Sequence, residues 1–431
     1  MAENKRYQWT LILLLSFNFG IVFFDRNAFS FLTPFIQPAL GLSNFQIGLI
    51  AGAFSFTWAL AGLGVGRLSD YLGRRKIILV VATLVFSLAS ALSGLAGSFI
   101  ALLAARLLMG MAEGGIMPIS QTLIVAEVDP ERRGLAQGIT QNFGANILAN
   151  FLGPIVIVAI ATAVGWRNAF YLAALPGLVM GALIAVLVHD PPMPARSARP
   201  AVAGAPGGTA GPGGTAVPGP AAATTGGAWA LLADRTILLC ILISILLVAY
   251  LVVFAAFMPL YLVQVRGIGN QTMSYVLSSF GLFSIAVSIL VPGASDFLGR
   301  KPVAVVAGFL GVMLPLGVLL THGTDTTPLY LSFALGSLLS GVFPLAMATI
   351  PSEVVDPART ATTLSLTMGL SEIVGGVCAP VVAGWFADRQ GLAAPLWIMV
   401  GLSLAVALLA LLLRETAPRV LARRTAATPQ R

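Results

Sequence analysis

Apolar runs of about twenty residues, separated by short gaps that hold most of the charge, fill this chain almost from end to end. A run of that length spans the hydrocarbon core of a bilayer as a helix. Lipid offers no partner for backbone N–H and C=O groups, so only a segment that satisfies them internally is stable there. The runs lie near residues 9–36, 45–67, 77–97, 99–126, 134–163, 167–188, 236–264, 271–293, 303–321, 327–350, 361–385 and 393–413. These twelve spans predict an all-α polytopic membrane protein. Composition agrees, with 58% of residues apolar and only 9% charged, against about a quarter charged in soluble domains.

The gaps carry the topology. Of 24 Lys and Arg, 19 fall on the side of the amino terminus, only Arg167, Arg266 and Arg389 fall opposite, and Arg26 and Arg106 lie inside spans. That bias predicts a multi-pass protein of the cytoplasmic (inner) membrane with both termini in the cytoplasm. Between the sixth and seventh spans, residues 190–230 form a Pro/Gly/Ala run without large apolar residues, expected to be a disordered cytoplasmic linker. It divides the chain into residues 1–189 and 231–431, six spans each. The nine residues before the first run are too polar, and the run too long, for a cleavable signal peptide, so the first span is expected to remain as an anchor.

The halves repeat. DYLGRRK at 70–76 recurs as DFLGRKP at 296–302, and Asp129-Pro130-Glu131-Arg132 recurs as Asp356-Pro357-Ala358-Arg359, at offsets of 226 and 227. Two same-orientation copies are related by an axis along the membrane normal and can rock about a central cavity. In the loop after the second span, Gly66 permits close helix approach, Gly73 a tight turn, and Asp70 pairs or caps at a helix end. This loop and its half-copy resemble the signature of the major facilitator superfamily. The resemblance covers the chain apart from the linker. It implies two six-helix bundles working by alternating access, with Gly66, Asp70, Gly73, Arg74, Asp296, Gly299 and Arg300 in conformational latches.

Charges inside spans are costly and by default functional or paired. There are five, Asp25, Arg26, Arg106, Glu113 and Glu372. Arg106 and Glu113 lie seven apart on one helix face, too far for a direct pair, so each is expected to find a partner on the first span. Phe23-Phe24-Asp25-Arg26, Arg106-x-x-x-Gly110-x-x-Glu113-x-x-x-x-Pro118 and Pro259-Leu260-Tyr261-Leu262-x-x-x-Arg266-Gly267 resemble segments of the anion:cation symporter branch. The resemblance implies that Asp25 and Glu113 carry protons, that Arg26 meets the substrate carboxylate, and that Arg106 holds or releases Glu113. A purely structural salt-bridge network is the alternative. The branch usually has Tyr two residues before the Asp and Asn three after it, where this chain has Phe23 and Ala28. Losing those polar groups points to a relatively apolar or aromatic carboxylate rather than a sugar acid. Glu372 stands near the branch's Asn and is expected to be a further protonation site, or else a group that selects a substrate amine or hydroxyl.

Asn142, Asn146 and Asn150 form one polar stripe on the fifth span, with Gln141 beside it. Such a stripe faces the cavity or another helix rather than lipid. Trp58 and Tyr250 are candidate cavity-lining aromatics, although packing explains either equally. Cys240 and Cys378 sit in apolar runs without metal-ligand spacing and read as packing residues. Lysines occur only at 5, 76 and 301, none in a phosphate-binding loop, and no hydrolase motif is present. These absences argue against an enzyme, a metal or an organic cofactor. The net charge of +8 is dispersed among the gaps and does not form a nucleic-acid footprint.

The expected function is proton-coupled uptake of an organic acid anion by a protein that works as a monomer in the bilayer. A proton-driven drug or metabolite exporter, a facilitator or exchanger, and a non-transporting receptor are the rivals. Two arginines inside the membrane weigh against a cationic cargo.

Overall fold

The computed structural model describes residues 2–72, 74–129, 132–190, 233–322 and 325–421. The linker beyond Asp190, together with Gly73, lies outside the described residues, as do the side-chain surroundings of Gly66, Asp70, Gln141 and Asn142.

The described residues contain 12 helices long and apolar enough to cross a membrane. They are α1 (Ala2–Leu40), α2 (Asn44–Leu72), α3 (Arg75–Leu95), α4 (Phe99–Glu127), α5 (133–164), α6 (Trp166–Leu187), α7 (Arg235–Val265), α8 (Asn270–Leu298), α9 (Arg300–Leu320), α10 (Thr327–Val354), α11 (357–390) and α12 (Ala393–Ala410). Several outrun their expected spans. α1 begins before residue 9 and α10 continues past 350, because an α-helix satisfies its own backbone and need not stop where polarity begins. Ends are set by local chemistry. Asp234 caps α7 by accepting from the N–H of Thr236 at 2.7 Å and Ile237 at 3.2 Å. At Gly165, φ is +89°, a backbone conformation that glycine adopts without strain and that lets α5 turn directly into α6.

Two helices are irregular in register with each other. α5 holds a π-helical stretch at Ala145–Leu152 and α11 one at Ser371–Cys378. The two stretches are equal in length and 226 residues apart, so the internal repeat extends to this distortion, a kind that concentrates at functional sites. α4 breaks at Gly114-Gly115, immediately after Glu113.

One apolar core, built on Leu15, Phe86, Met109, Leu123 and Ile184, fills the terminus-side part of the first half. A second runs through the second half and continues across the opposite, far end into Leu32, Ile47, Ile157 and Phe170 of the first. The halves are therefore joined at the far end. α2 packs on α11 there with glycines at the seam: a Cβ on Gly48 would lie 2.1 Å from the Pro380 carbonyl oxygen, and one on Gly384 2.4 Å from that of Asn44. The Asp388 carboxylate of α11 accepts from the N–H of Asn44 at 2.8 Å and of Phe45 at 3.0 Å, so it caps the start of α2 from the other half. Asp388→Ala is expected to loosen this closure. Spin labels at the far ends of α2 and α11 should then report a larger fraction of long distances.

At the terminus side, Arg300 is held within its own half. It pairs with Asp296 at 2.7 Å and Glu353 at 2.9 Å and donates to Ser295 at 2.5 Å. Glu415 accepts from the N–H of Arg300 at 2.8 Å and so caps α9, and Asp190 caps α3 in the same way through Lys76 at 2.7 Å. The sequence motif pointed to Asp296 and Arg300 but not to Glu353 or Glu415. A signal existed in the repeat, since Glu127 precedes Glu353 by 226 residues and Asp190 precedes Glu415 by 225. Arg74 is exposed ahead of α3.

Candidate functional site

α1 carries Asp25 and Arg26 near the middle of its span on adjacent faces, and the two meet different surroundings. Asp25 is completely buried and accepts a hydrogen bond from the Ser90 hydroxyl on α3, while its Oδ2 has no partner. The Arg26 guanidinium lies over three rings, 5.4 Å from Phe23, 4.7 Å from Phe54 and 5.5 Å from Trp58. Such stacking holds a cation at about 0.5–2 kcal/mol per ring without using up its N–H donors. Trp58 therefore does form part of the arginine's surroundings. Phe23 and Phe54, which the sequence did not single out as contacts, do the same.

Arg106 and Glu113 hang from α4. Arg106 is 2% exposed, lies over Phe29 at 4.9 Å and Phe170 at 5.2 Å, and reaches the Met109 sulfur at 3.3 Å. Its Nε and Nη2 have no hydrogen-bond partner. Glu113 is 1% exposed, and among the described residues both of its oxygens are unpartnered.

The expected ion pairs are not formed. Among the described residues none of these five charges has an opposite charge within 4.0 Å. Aromatic faces and one serine take the partners' place, because the first half offers rings at the depth where the helices carry charge. This leaves a cluster of buried carboxylate and guanidinium atoms in one half that is complementary in sign yet unsatisfied, at a cost of several kcal/mol per unpaired group.

Glycines set the cluster's geometry. A Cβ on Gly110 would lie 2.3 Å from Thr57 Oγ1, and one on Gly114 2.2 Å from the Trp58 carbonyl oxygen. α4 is thus pressed onto the part of α2 that carries the rings under Arg26. Gly114→Val should force α2 outward and cost about 1–3 kcal/mol of overpacking, visible as a lower melting temperature in detergent and as loss of transport.

The amide stripe turns partly onto itself. Asn150 donates to Asn146 at 3.1 Å and accepts from Asn27 of α1 at 3.3 Å, next to Arg26 in sequence. Tyr250 is buried in the second half with its hydroxyl donating to the Gly311 carbonyl at 3.0 Å, a packing role inside that bundle. Glu372 sits on the π-helical stretch of α11, its Oε2 buried and unpartnered. Of the two cysteines, Cys240 is buried and Cys378 exposed, both as free thiols.

Sequence reasoning missed Ser90. The signal was a polar stripe on α3, Thr83, Ser87, Ser90 and Ser93, which recurs every three or four residues and is fully buried.

The family model for the Major Facilitator Superfamily matches residues 15–375. The chain belongs to that superfamily. Among its relatives, the hexuronate transporter of Bacillus subtilis is 27% identical over 407 residues, 90% of each chain. A probable sulfoacetate transporter of Cupriavidus necator is 30% identical over 192 residues, 44% of each chain. The multidrug resistance protein MdtL of Klebsiella pneumoniae is 25% identical over 394 residues, 90% of this chain and 91% of that one. Among solved structures, a bacterial homolog of the human lysosomal transporter Spinster, inward-facing and unoccupied, superposes with a TM-score of 0.73 at 18% identity over 97% of both chains. The protein is therefore a multi-pass membrane transporter with the superfamily fold, and among its relatives are transporters named for organic acids.

Proposed function

We propose that this chain imports an organic acid anion together with protons. One observation carries the reading: an arginine on a shelf of three rings, without a hydrogen bond or ion pair among the described residues, shares a half-molecule with two buried carboxylates that likewise lack ion-pair partners there. Arg26 is the anchor for a carboxylate, which its planar fork receives through two parallel bonds. Asp25 and Glu113 are the proton carriers. Ser90 orients Asp25, and Arg106 balances whichever carboxylate is ionised. Taking protons neutralises the two acids, so that the loaded site crosses between states without bare charge. Losing them lets Asp25 and Glu113 compete again for the arginines, which expels the anion. Proton and anion are coupled because both bias the same rocking equilibrium.

With both termini in the cytoplasm, as the 19 to 3 split of cations supports, closure at the far end corresponds to a state facing inward. The bundle works as a monomer, since each half supplies one wall of a single central path. Likeness to a multidrug resistance protein favours the exporter reading, but a cationic drug would meet Arg26 and Arg106 at the same depth.

The test is accumulation of a radiolabelled carboxylate in proteoliposomes under an imposed inward proton gradient. Uptake above equilibrium that a protonophore collapses supports the proposal. Uptake that only equilibrates, with or without the gradient, contradicts coupling.

A further inference from the structure

Glu372 has no assigned partner, and its surroundings define what it can bind. A Cβ on Gly376 would lie 2.8 Å from Glu372 Oε2 and 3.1 Å from Ser55 Oγ, so the carboxylate of α11 and the buried hydroxyl of α2 meet at one point of the seam between the halves. Ser55 adjoins Phe54, the ring nearest Arg26. Arg26 lies more than 4.0 Å from Glu372, and among the described residues neither has an ion-pair partner. In the repeat, Glu372 corresponds to Asn146, each the second residue of its π-helical stretch. Where the first half presents an amide that is satisfied by Asn150, the second half presents an unsatisfied acid.

We infer that Glu372 accepts a hydrogen bond from the cargo, so that the transported molecule is a carboxylate carrying a donor, either a hydroxyl or a protonated amine. This rests on the reading of Arg26 as the anion anchor. The guanidinium on one half takes the carboxylate and Glu372 on the other takes the donor, so that the cargo itself ties the halves together. A carboxylate without a donor leaves the buried Oε2 of Glu372 beside an anion with nothing to bind, which selects against it. The ring shelf is compatible with an otherwise apolar molecule.

The test uses two matched series in proteoliposomes, phenylacetate with mandelate and phenylglycine, and propionate with lactate and alanine. Wild-type protein should take up at least one donor-bearing acid at least about tenfold better than the plain acid of its series, the scale of one charge-assisted hydrogen bond. Glu372→Ala should erase that preference, read as the ratio of donor-bearing to plain acid taken up within each series. Glu372→Gln keeps an acceptor oxygen but no charge. Preference retained in that variant identifies a hydroxyl as the donor, and preference lost identifies an ammonium. Equal wild-type uptake within both series overturns the inference and leaves the anion site standing, and so does an unchanged preference in Glu372→Ala. Failure of the wild type to move any of the six acids overturns both. The wild-type comparison decides even where a variant does not fold.

Discussion

Glu113→Gln is expected to abolish proton-driven accumulation while leaving exchange of substrate between compartments of equal pH. Glu113 ends the first segment of α4, is 1% exposed and has no hydrogen-bond partner on either oxygen. Glutamine fills the same volume and is neutral at every pH, so it mimics the protonated acid and permits the loaded carrier to rock. What it cannot do is release a proton. One pH unit is worth about 1.4 kcal/mol per proton, which sustains about tenfold accumulation for each proton carried. The variant should fall to an accumulation ratio of unity, because Asp25 and Glu113 act as a unit. Counterflow of labelled substrate against unlabelled substrate should continue near the wild-type rate. Wild-type accumulation in this variant would remove Glu113 from the proton path.

Arg26→Lys is expected to weaken apparent substrate affinity by about tenfold to a hundredfold, the range for loss of charge-assisted hydrogen bonding. The charge survives, so the experiment separates charge from geometry. A guanidinium spread over Phe23, Phe54 and Trp58 presents a flat fork, whereas an ammonium is a compact, strongly hydrated point that stacks less well. Folding should be little affected, because no hydrogen bond or ion pair of the described structure depends on Arg26 and lysine keeps a cation over the same rings. Binding measured by tryptophan quenching or by isothermal titration reads the change. An unchanged affinity would place the anion elsewhere, with Arg106 next in order.

The architecture was legible because lipid leaves so few options: apolar runs became helices, and the cation bias and the 226-residue repeat divided them into two matching halves. The depth of the five charges was legible for the same reason. Their partners were not. Charge complementarity suggested ion pairs, whereas the fold supplies rings to Arg26 and Arg106 and a serine to Asp25. Which helix face meets which neighbour depends on how glycines such as Gly110 and Gly114 let α4 sink onto α2, and spacing along one helix does not encode that. Tyr250 shows the limit from the other side, since an aromatic at plausible depth was spent on the Gly311 carbonyl inside its own bundle. Asp388 shows it again: an unremarkable acid at a helix end caps a helix of the other half, a contact that exists only once the halves close.

Joint movement of proton and carboxylate is the central claim, and it is tested most directly by loading proteoliposomes with a pH-sensitive dye and adding carboxylates or lipophilic cations outside. The account predicts internal acidification evoked by a carboxylate, absent in Glu113→Gln. Internal alkalinisation of acid-loaded vesicles, evoked only by an external cation, would contradict it and make Asp25, Glu113 and Glu372 the cation site of an exporter.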